Sequence, residues 1–265
     1  MIAELHGKIS SRGTNLRETL EDNLTGNVFG SLRYIPFSKG IKPILLSVID
    51  EQYFGEYEAE EWAERVEFWP YDKEGELDLV INLDLVSIAI EVKYNSKLSS
   101  EDDVSNEDDN NEKSINQLAR ESRIIKEIAK ARGTTPILLF IARENEGKEI
   151  INNVLSRNII AAEVMLKFIS WEDICTSFES LFKSDNLSYF EKVVVGDIYK
   201  LLIRKGFNRF KDFTASLDNE VVVEDKYYVF KDNKKNELYI NQNISEKFSF
   251  ISNINVNEGE HYEFI

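Results

Sequence analysis

The stretch from residue 76 to residue 93 constrains the fold most strongly, because apolar and polar residues alternate along it for the length of two strands. A period of two is typical of a strand that places one face in a hydrophobic core. The apolar positions are Leu77, Leu79, Ile81 and Leu83 in the first half, and Val86, Ile88, Ile90 and Val92 in the second. Residues 82–85 are short enough for a hairpin turn. The sequence therefore predicts two antiparallel strands on which Asp78, Glu91 and Lys93 share a face.

That shared face has a chemical consequence. Side chains two residues apart on a strand are about 6.6 Å apart, and Cβ atoms of directly opposed residues are about 5 Å apart. A small cation can therefore reach both Asp78 and Glu91, and carboxylate oxygens without thiol or imidazole neighbours favour Mg²⁺ or Mn²⁺ over zinc. Glu91 and Lys93 are equally compatible with an ordinary surface ion pair worth less than about 1 kcal/mol. Spacing alone leaves both interpretations open.

The arrangement of Asp78 followed by Glu91-Val92-Lys93 resembles the PD-(D/E)XK superfamily, also called restriction-endonuclease-like. Residues 24–36 are similar to a helix of its bacterial, defence-associated members. That family carries an Asp on one strand and Glu-x-Lys on the next, and Leu77 stands here in place of the literal Pro. The resemblance implies that Asp78, Glu91 and the carbonyl of Val92 hold Mg²⁺, with Mn²⁺ as a substitute. It also implies that Lys93 orients the attacking water or stabilises the pentacovalent state, and that the products carry a 5′-phosphate and a 3′-hydroxyl.

A helix precedes these strands. Leu16, Leu20, Leu24, Val28 and Leu32 recur at helical spacing until Pro36 ends the pattern. Glu21 lies beside this stripe, and spacing alone favours a solvent-exposed position for it. The resemblance instead implies that Glu21 points into the metal site.

A second helix follows the strands, over residues 113–132, with Gly133 as its stop signal. Its apolar stripe is predicted from Ile115, Leu118, Ile125 and Ile128. Spacing alone places Gln117 and Arg120 on the polar side of this helix, next to its apolar stripe. The resemblance implies that Gln117 faces the site and that both residues bind the substrate.

Further strands and helices are predicted in the rest of the chain. Strands are expected at 66–70, 136–142 and 165–170, and helices at 41–54, 146–156, 171–182 and 187–205. This order predicts an α/β fold: a mixed central β-sheet flanked by helices, as in a restriction-endonuclease-like core, within a nuclease domain spanning residues 1–216. The acidic segment 95–112 is expected to be a flexible loop. Short β-prone runs in residues 217–265 predict a small β-rich C-terminal extension.

Composition limits the partners. The chain has 32 Lys and Arg against 48 Asp and Glu, a net charge of −16, which argues against a surface that is basic throughout. A local basic groove is enough for a nuclease, and residues 204–211, with two Phe among four basic residues, are a candidate edge for binding a nucleic-acid backbone. That segment is also similar to one near the end of related nuclease domains.

The sequence lacks the residues that other common catalytic and nucleotide-binding sites require. His6 and His261 lie near the termini, which disfavours a Ser-His-Asp or Cys-His site, and no Walker or dinucleotide glycine motif occurs. The single cysteine, Cys175, fits a reducing compartment, and no apolar run approaches membrane-spanning length, so we expect a cytoplasmic protein.

These observations, with the resemblance, predict a metal-dependent nuclease. Its expected partner is nucleic acid, DNA in preference to RNA, in the setting of prokaryotic antiphage defence or restriction. A protein partner or a second copy of the chain is expected to bind through the acidic surface or the C-terminal extension. Two alternatives remain: a catalytically silent nuclease-like subunit that serves as an interaction module in a multi-protein complex, and an acidic scaffold for a basic protein.

Overall fold

A mixed five-stranded sheet organises the chain in the computed structural model, which describes residues 18–94, 98–102 and 114–209. The strands are β1 (Val66–Phe68), β2 (Tyr71–Asp72), β3 (Gly75–Glu76), β4 (Leu79–Asn82), β5 (Val86–Val92), β6 (Thr135–Ala142) and β7 (Met165–Ser170). The helices are α1 (Glu18–Leu32), α2 (Lys42–Leu45), α3 (Ala59–Ala63), α4 (Gln117–Arg132), α5 (Glu144–Arg157), α6 (Trp171–Lys183) and α7 (Tyr189–Arg204), with a 3₁₀ helix at Glu51–Tyr53.

The sheet has the order β1-β4-β5-β6-β7. The β1–β4 and β4–β5 pairs are antiparallel, whereas β5–β6 and β6–β7 are parallel, so the sheet is mixed. In the predicted hairpin Leu79 pairs with Ile90 and Ile81 with Ile88. The predicted α/β fold with a mixed sheet flanked by helices is confirmed.

Helices cover both faces of the sheet. On one face, the apolar stripe of α1 and the inner side of α6 pack against Ile88, Ile90 and Val92 of β5. On the other, Leu118 and Ile125 of α4 pack against Ala89. All seven residues of β5 are therefore buried, and the prediction that its polar face lies outside the core is wrong. Glu91, on the α4 side, is enclosed between strand and helix.

The first strand of the predicted hairpin is shorter than its alternation suggests. Glu76 belongs to a separate two-stranded ribbon with Tyr71, and Asp78 lies in a bend before β4 begins. Two backbone hydrogen bonds hold this bend, from Trp69 N to Asp78 O (3.1 Å) and from Leu77 N to Pro70 O (3.0 Å). Leu77 and Asp78 do not extend the β4–β5 pairing, because their backbone groups bond to Pro70 and Trp69 instead.

The helix predictions have mixed outcomes. Gly133 ends α4 with φ 70°, as its sequence position predicts, and the Ser170 hydroxyl caps α6 by accepting the N–H of Asp173 at 3.0 Å. The predicted helix at 41–54 is wrong as a continuous element, because only α2 and the 3₁₀ helix form. Ile115 precedes α4 and is 55 % exposed, so its place in the buried stripe is also wrong.

Several predictions fall outside the described residues: the β-rich extension at 217–265 and most of the acidic segment 95–112. Within that segment, Glu101 and Asp102 both pair with Arg157 of α5. None of the helices in the described ranges combines the length and hydrophobicity needed to cross a membrane.

Candidate metal centre

Three carboxylates meet at the end of the central strands. Oxygens of Glu21, Asp78 and Glu91 all lie within 4.8 Å of one another. They come from three elements: α1, the bend before β4, and β5. The antiparallel register, continued one step beyond Leu79 and Ile90, sets Asp78 opposite Glu91. The structure thus brings together the two carboxylates of the hairpin and the helix carboxylate.

Asp78 is fixed across the hairpin. Its Oδ2 accepts a hydrogen bond from the N–H of Val92 at 2.8 Å. Burial, and then the neighbouring charge of Glu91, raise the pKa of Asp78 well above its ordinary value. A carboxylate that is costly to ionise where it lies gains from a nearby cation.

Glu91 is the most enclosed of the three, with 2 % of its surface exposed. Its Oε1 accepts a hydrogen bond from Nε2 of Gln117 at 2.6 Å, and it forms an ion pair with Lys93. Gln117 therefore faces the site from the first turn of α4, as the resemblance implies. Burial, and then Glu121, raise the pKa of Glu91 well above its ordinary value.

Lys93 lies among the carboxylates at the end of β5. Its Nζ is 3.1 Å from Oε1 of Glu21, and its backbone N–H donates to Ile141 O at 2.7 Å. The indole N–H of Trp171 donates to its carbonyl at 3.0 Å. Burial opposes the charge on Lys93, but the surrounding carboxylates, Glu91 foremost, outweigh burial and raise the pKa of the amine above its ordinary value. The amine is therefore a cation.

A fourth carboxyl group, that of Glu121, belongs to this cluster and was not assigned from the sequence. It is 1 % exposed, and its two oxygens accept no hydrogen bond from the described residues. It interacts electrostatically with Glu91 and Asp78. Two ionised carboxylates cannot hydrogen-bond to each other, so the proximity of Glu121 and Glu91 favours a proton on one of them or a neighbouring cation, and Lys93 already supplies one positive charge. Burial raises the pKa of Glu121 to about 7.

One sequence signal was available for Glu121. It stands four residues after Gln117, which places both side chains on one face of a helix. Spacing placed Gln117 on the polar side of the helix and assigned no role to Glu121, since a sequence does not show which side of a helix the strand covers.

The cluster contains more carboxyl groups than cationic groups. Four carboxyl groups, of Glu21, Asp78, Glu91 and Glu121, surround the single amine of Lys93. Buried carboxylates are stable as anions only when they are paired or bind a cation. Oxygen donors without nitrogen or sulfur suit Mg²⁺ and Mn²⁺. The residues present therefore fit a hard divalent cation.

Two predicted residues have other contacts. Arg120 donates to Glu74 O and, at 3.2 Å, to Ser100 Oγ, so the structure does not bring it to the carboxylates. Its contact with substrate stays a prediction. For Val92 the structure gives the N–H bond to Asp78, and the role of its carbonyl as a metal ligand also stays a prediction.

Comparisons with protein-family models, with curated proteins and with solved structures found no match to this chain.

Proposed function

We propose that the chain is a Mg²⁺-dependent nuclease that hydrolyses phosphodiester bonds of nucleic acid, with DNA as the expected substrate. The observation that carries the proposal is the meeting of three carboxylates within 4.8 Å of one another beside a lysine. The sequence order Asp78, Glu91, Lys93 and the resemblance drawn from it support the same conclusion. Mn²⁺ is expected to substitute for Mg²⁺, since both prefer oxygen ligands.

Glu21, Asp78 and Glu91 would hold the cation. When bound, it supplies a Lewis acid that neutralises phosphate charge and makes water more acidic. Asp78 keeps its orientation through the Val92 N–H bond, and Glu91 through the amide of Gln117. Oriented ligands of this kind need no rearrangement during the reaction, which is how preorganised sites lower a barrier.

Lys93 has a separate role. In the metal-free cluster the carboxylates around this amine, Glu91 foremost, raise its pKa, which favours the role of a cation over that of a general base. As a cation it instead donates hydrogen bonds to negative charge that develops on the phosphate oxygens. Removal of the ammonium group should therefore lower the cleavage rate more than it lowers cation affinity.

The test is cleavage of labelled single- and double-stranded DNA and RNA with Mg²⁺, with Mn²⁺ or with EDTA. We expect cation-dependent cleavage by the wild type and a loss of at least about 100-fold in Asp78→Asn and Lys93→Met, the range seen when charge-stabilising groups are removed. Glu127→Gln is the control, because Glu127 lies exposed on α4. Cleavage by either site variant at the wild-type rate contradicts the proposal. Cation binding without cleavage would favour the catalytically silent subunit.

A further inference from the structure

We propose that Arg143 and Lys205 form a phosphate-binding rim beside the carboxylate cluster, and that this rim holds the substrate backbone one phosphate away from the scissile bond. The inference rests on the proposed function and specifies its substrate as a polymer with several phosphates. We call the two residues the basic rim.

The basic rim lies next to the site because Tyr94 directly follows Lys93. The backbone N–H of Tyr94 donates to Oε2 of Glu21 at 3.1 Å, which fixes the residue at the edge of the carboxylate cluster. Nζ of Lys205 is 5.2 Å from the centroid of the Tyr94 ring, and Cζ of Arg143 is 5.5 Å from it. Two cationic groups thus share one ring that adjoins the cluster. Arg143 also forms an ion pair with Glu172 at 3.8 Å, so Lys205 carries the greater part of the argument.

The segment that carries Lys205 is held in this place. Tyr94 Oη donates to Lys205 O at 3.4 Å, and an Arg143 N–H donates to the same oxygen at 3.3 Å. Phe207 is fully buried and stacks on Trp171, with ring centroids 5.4 Å apart. The basic rim is therefore anchored through its backbone and the Phe207 ring, while the amine of Lys205 is not used in that anchoring.

Among the described residues, no acidic side chain neutralises Lys205. Within the described ranges its amine forms no ion pair, and its side chain is partly exposed. Arg209, four residues further, also belongs to the edge predicted at 204–211, but its guanidinium already forms 2.8 Å ion pairs with both Glu144 and Asp173. In a chain with a net charge of −16, an uncompensated amine beside the metal centre is a local exception to the acidic surface. A solvated backbone phosphate is the anion that such an exposed amine binds without displacing an existing partner.

Lys205→Met tests the basic rim, because Met keeps an apolar stem over Tyr94 and removes the charge. Arg209→Met is the matched control: it changes the net charge by the same amount in the same segment, at a side chain already paired. Binding is measured by fluorescence anisotropy of labelled DNA and RNA oligonucleotides, with Ca²⁺ in place of Mg²⁺. We expect Lys205→Met to weaken binding about three- to tenfold and to reduce the slope of log Kd against log salt by about 0.7 to 0.9, as for one lost phosphate contact.

A small diester distinguishes this inference from the proposed function. Bis(p-nitrophenyl) phosphate has no neighbouring phosphate, so Lys205→Met should cleave it at the wild-type rate while losing kcat/KM on oligonucleotides. Thermal unfolding at the wild-type temperature confirms that the variant is folded, and Lys205→Gln provides a second variant with the same expected direction. Equal oligonucleotide binding and cleavage by the Lys205→Met and Arg209→Met variants would overturn the basic rim. A wild type that cleaves neither substrate would overturn the proposed function, whatever the binding data show.

Discussion

Replacing Glu121 by Gln should make the metal-free protein less sensitive to alkaline pH. Glu121 is 1 % exposed, and burial raises its pKa to about 7 from an ordinary 4.5. A carboxyl group whose pKa is raised by folding binds more protons in the folded state, so the free energy of unfolding falls as pH rises from 4.5 through about 7. At 1.36 kcal/mol per pKa unit, this loss is about 3 kcal/mol.

Gln keeps the shape of the side chain and cannot ionise. Thermal unfolding of wild type and Glu121→Gln in EDTA, at intervals from about pH 5 to about pH 8, measures the difference directly. A change of 3 kcal/mol corresponds to about 6 to 12 °C in Tm for a domain of this size. The variant should match the wild type most closely at the acid end and exceed it by roughly that amount at the alkaline end.

Glu127→Gln is the matched control, since Glu127 lies on the same helix and is exposed. The comparison between variants also removes the general effect of the chain's negative charge, which both share. If the Tm of Glu121→Gln falls with pH as steeply as that of the wild type, ionisation of this buried carboxyl group does not cause the loss of stability at alkaline pH.

Substitutions at three further positions test other contacts. Gln117→Leu removes the amide that donates to Glu91 and should cost about 1.5 to 3 kcal/mol of stability, measured by urea unfolding; no change would show that the bond contributes nothing. Gly147→Ala should destabilise by about 1 to 3 kcal/mol, because a Cβ there would overlap the ring of Phe168; wild-type stability would mean that the ring moves freely. Ser170→Ala removes the cap of α6 and should cost about 1 kcal/mol, whereas Ser170→Thr should restore most of it.

The alternation of residues 76–93 was enough to predict that two of the acidic residues, Asp78 and Glu91, meet. The period-two pattern implied that Asp78 and Glu91 share a side of the sheet, and the register bears this out. It did not predict the bend at Asp78, because that bend depends on backbone bonds to Pro70 and Trp69, and alternation carries no information about bonding partners.

Helical positions were harder to interpret than strand positions. Glu21 and Gln117 each had an exposed and a functional interpretation, and only the resemblance favoured the second. The burial of Glu121 depends on α4 lying over Glu91, which is a tertiary contact. Arg120, one residue before Glu121, points instead to Glu74 and Ser100. Successive side chains on a helix differ in direction by about 100°. An error of one residue in the assumed helix face therefore assigns a structural residue to the site, or the reverse.

Calorimetric titration with Mn²⁺, followed by competition with Mg²⁺, tests the central claim most directly. The wild type and the Glu127→Gln control should bind Mn²⁺ with the same affinity and lose it to excess Mg²⁺, whereas Asp78→Asn and Glu91→Gln should lose most of the binding. A wild type that binds neither cation, or an Asp78→Asn variant that binds Mn²⁺ as the wild type does, would contradict the assignment of these carboxylates as a metal centre.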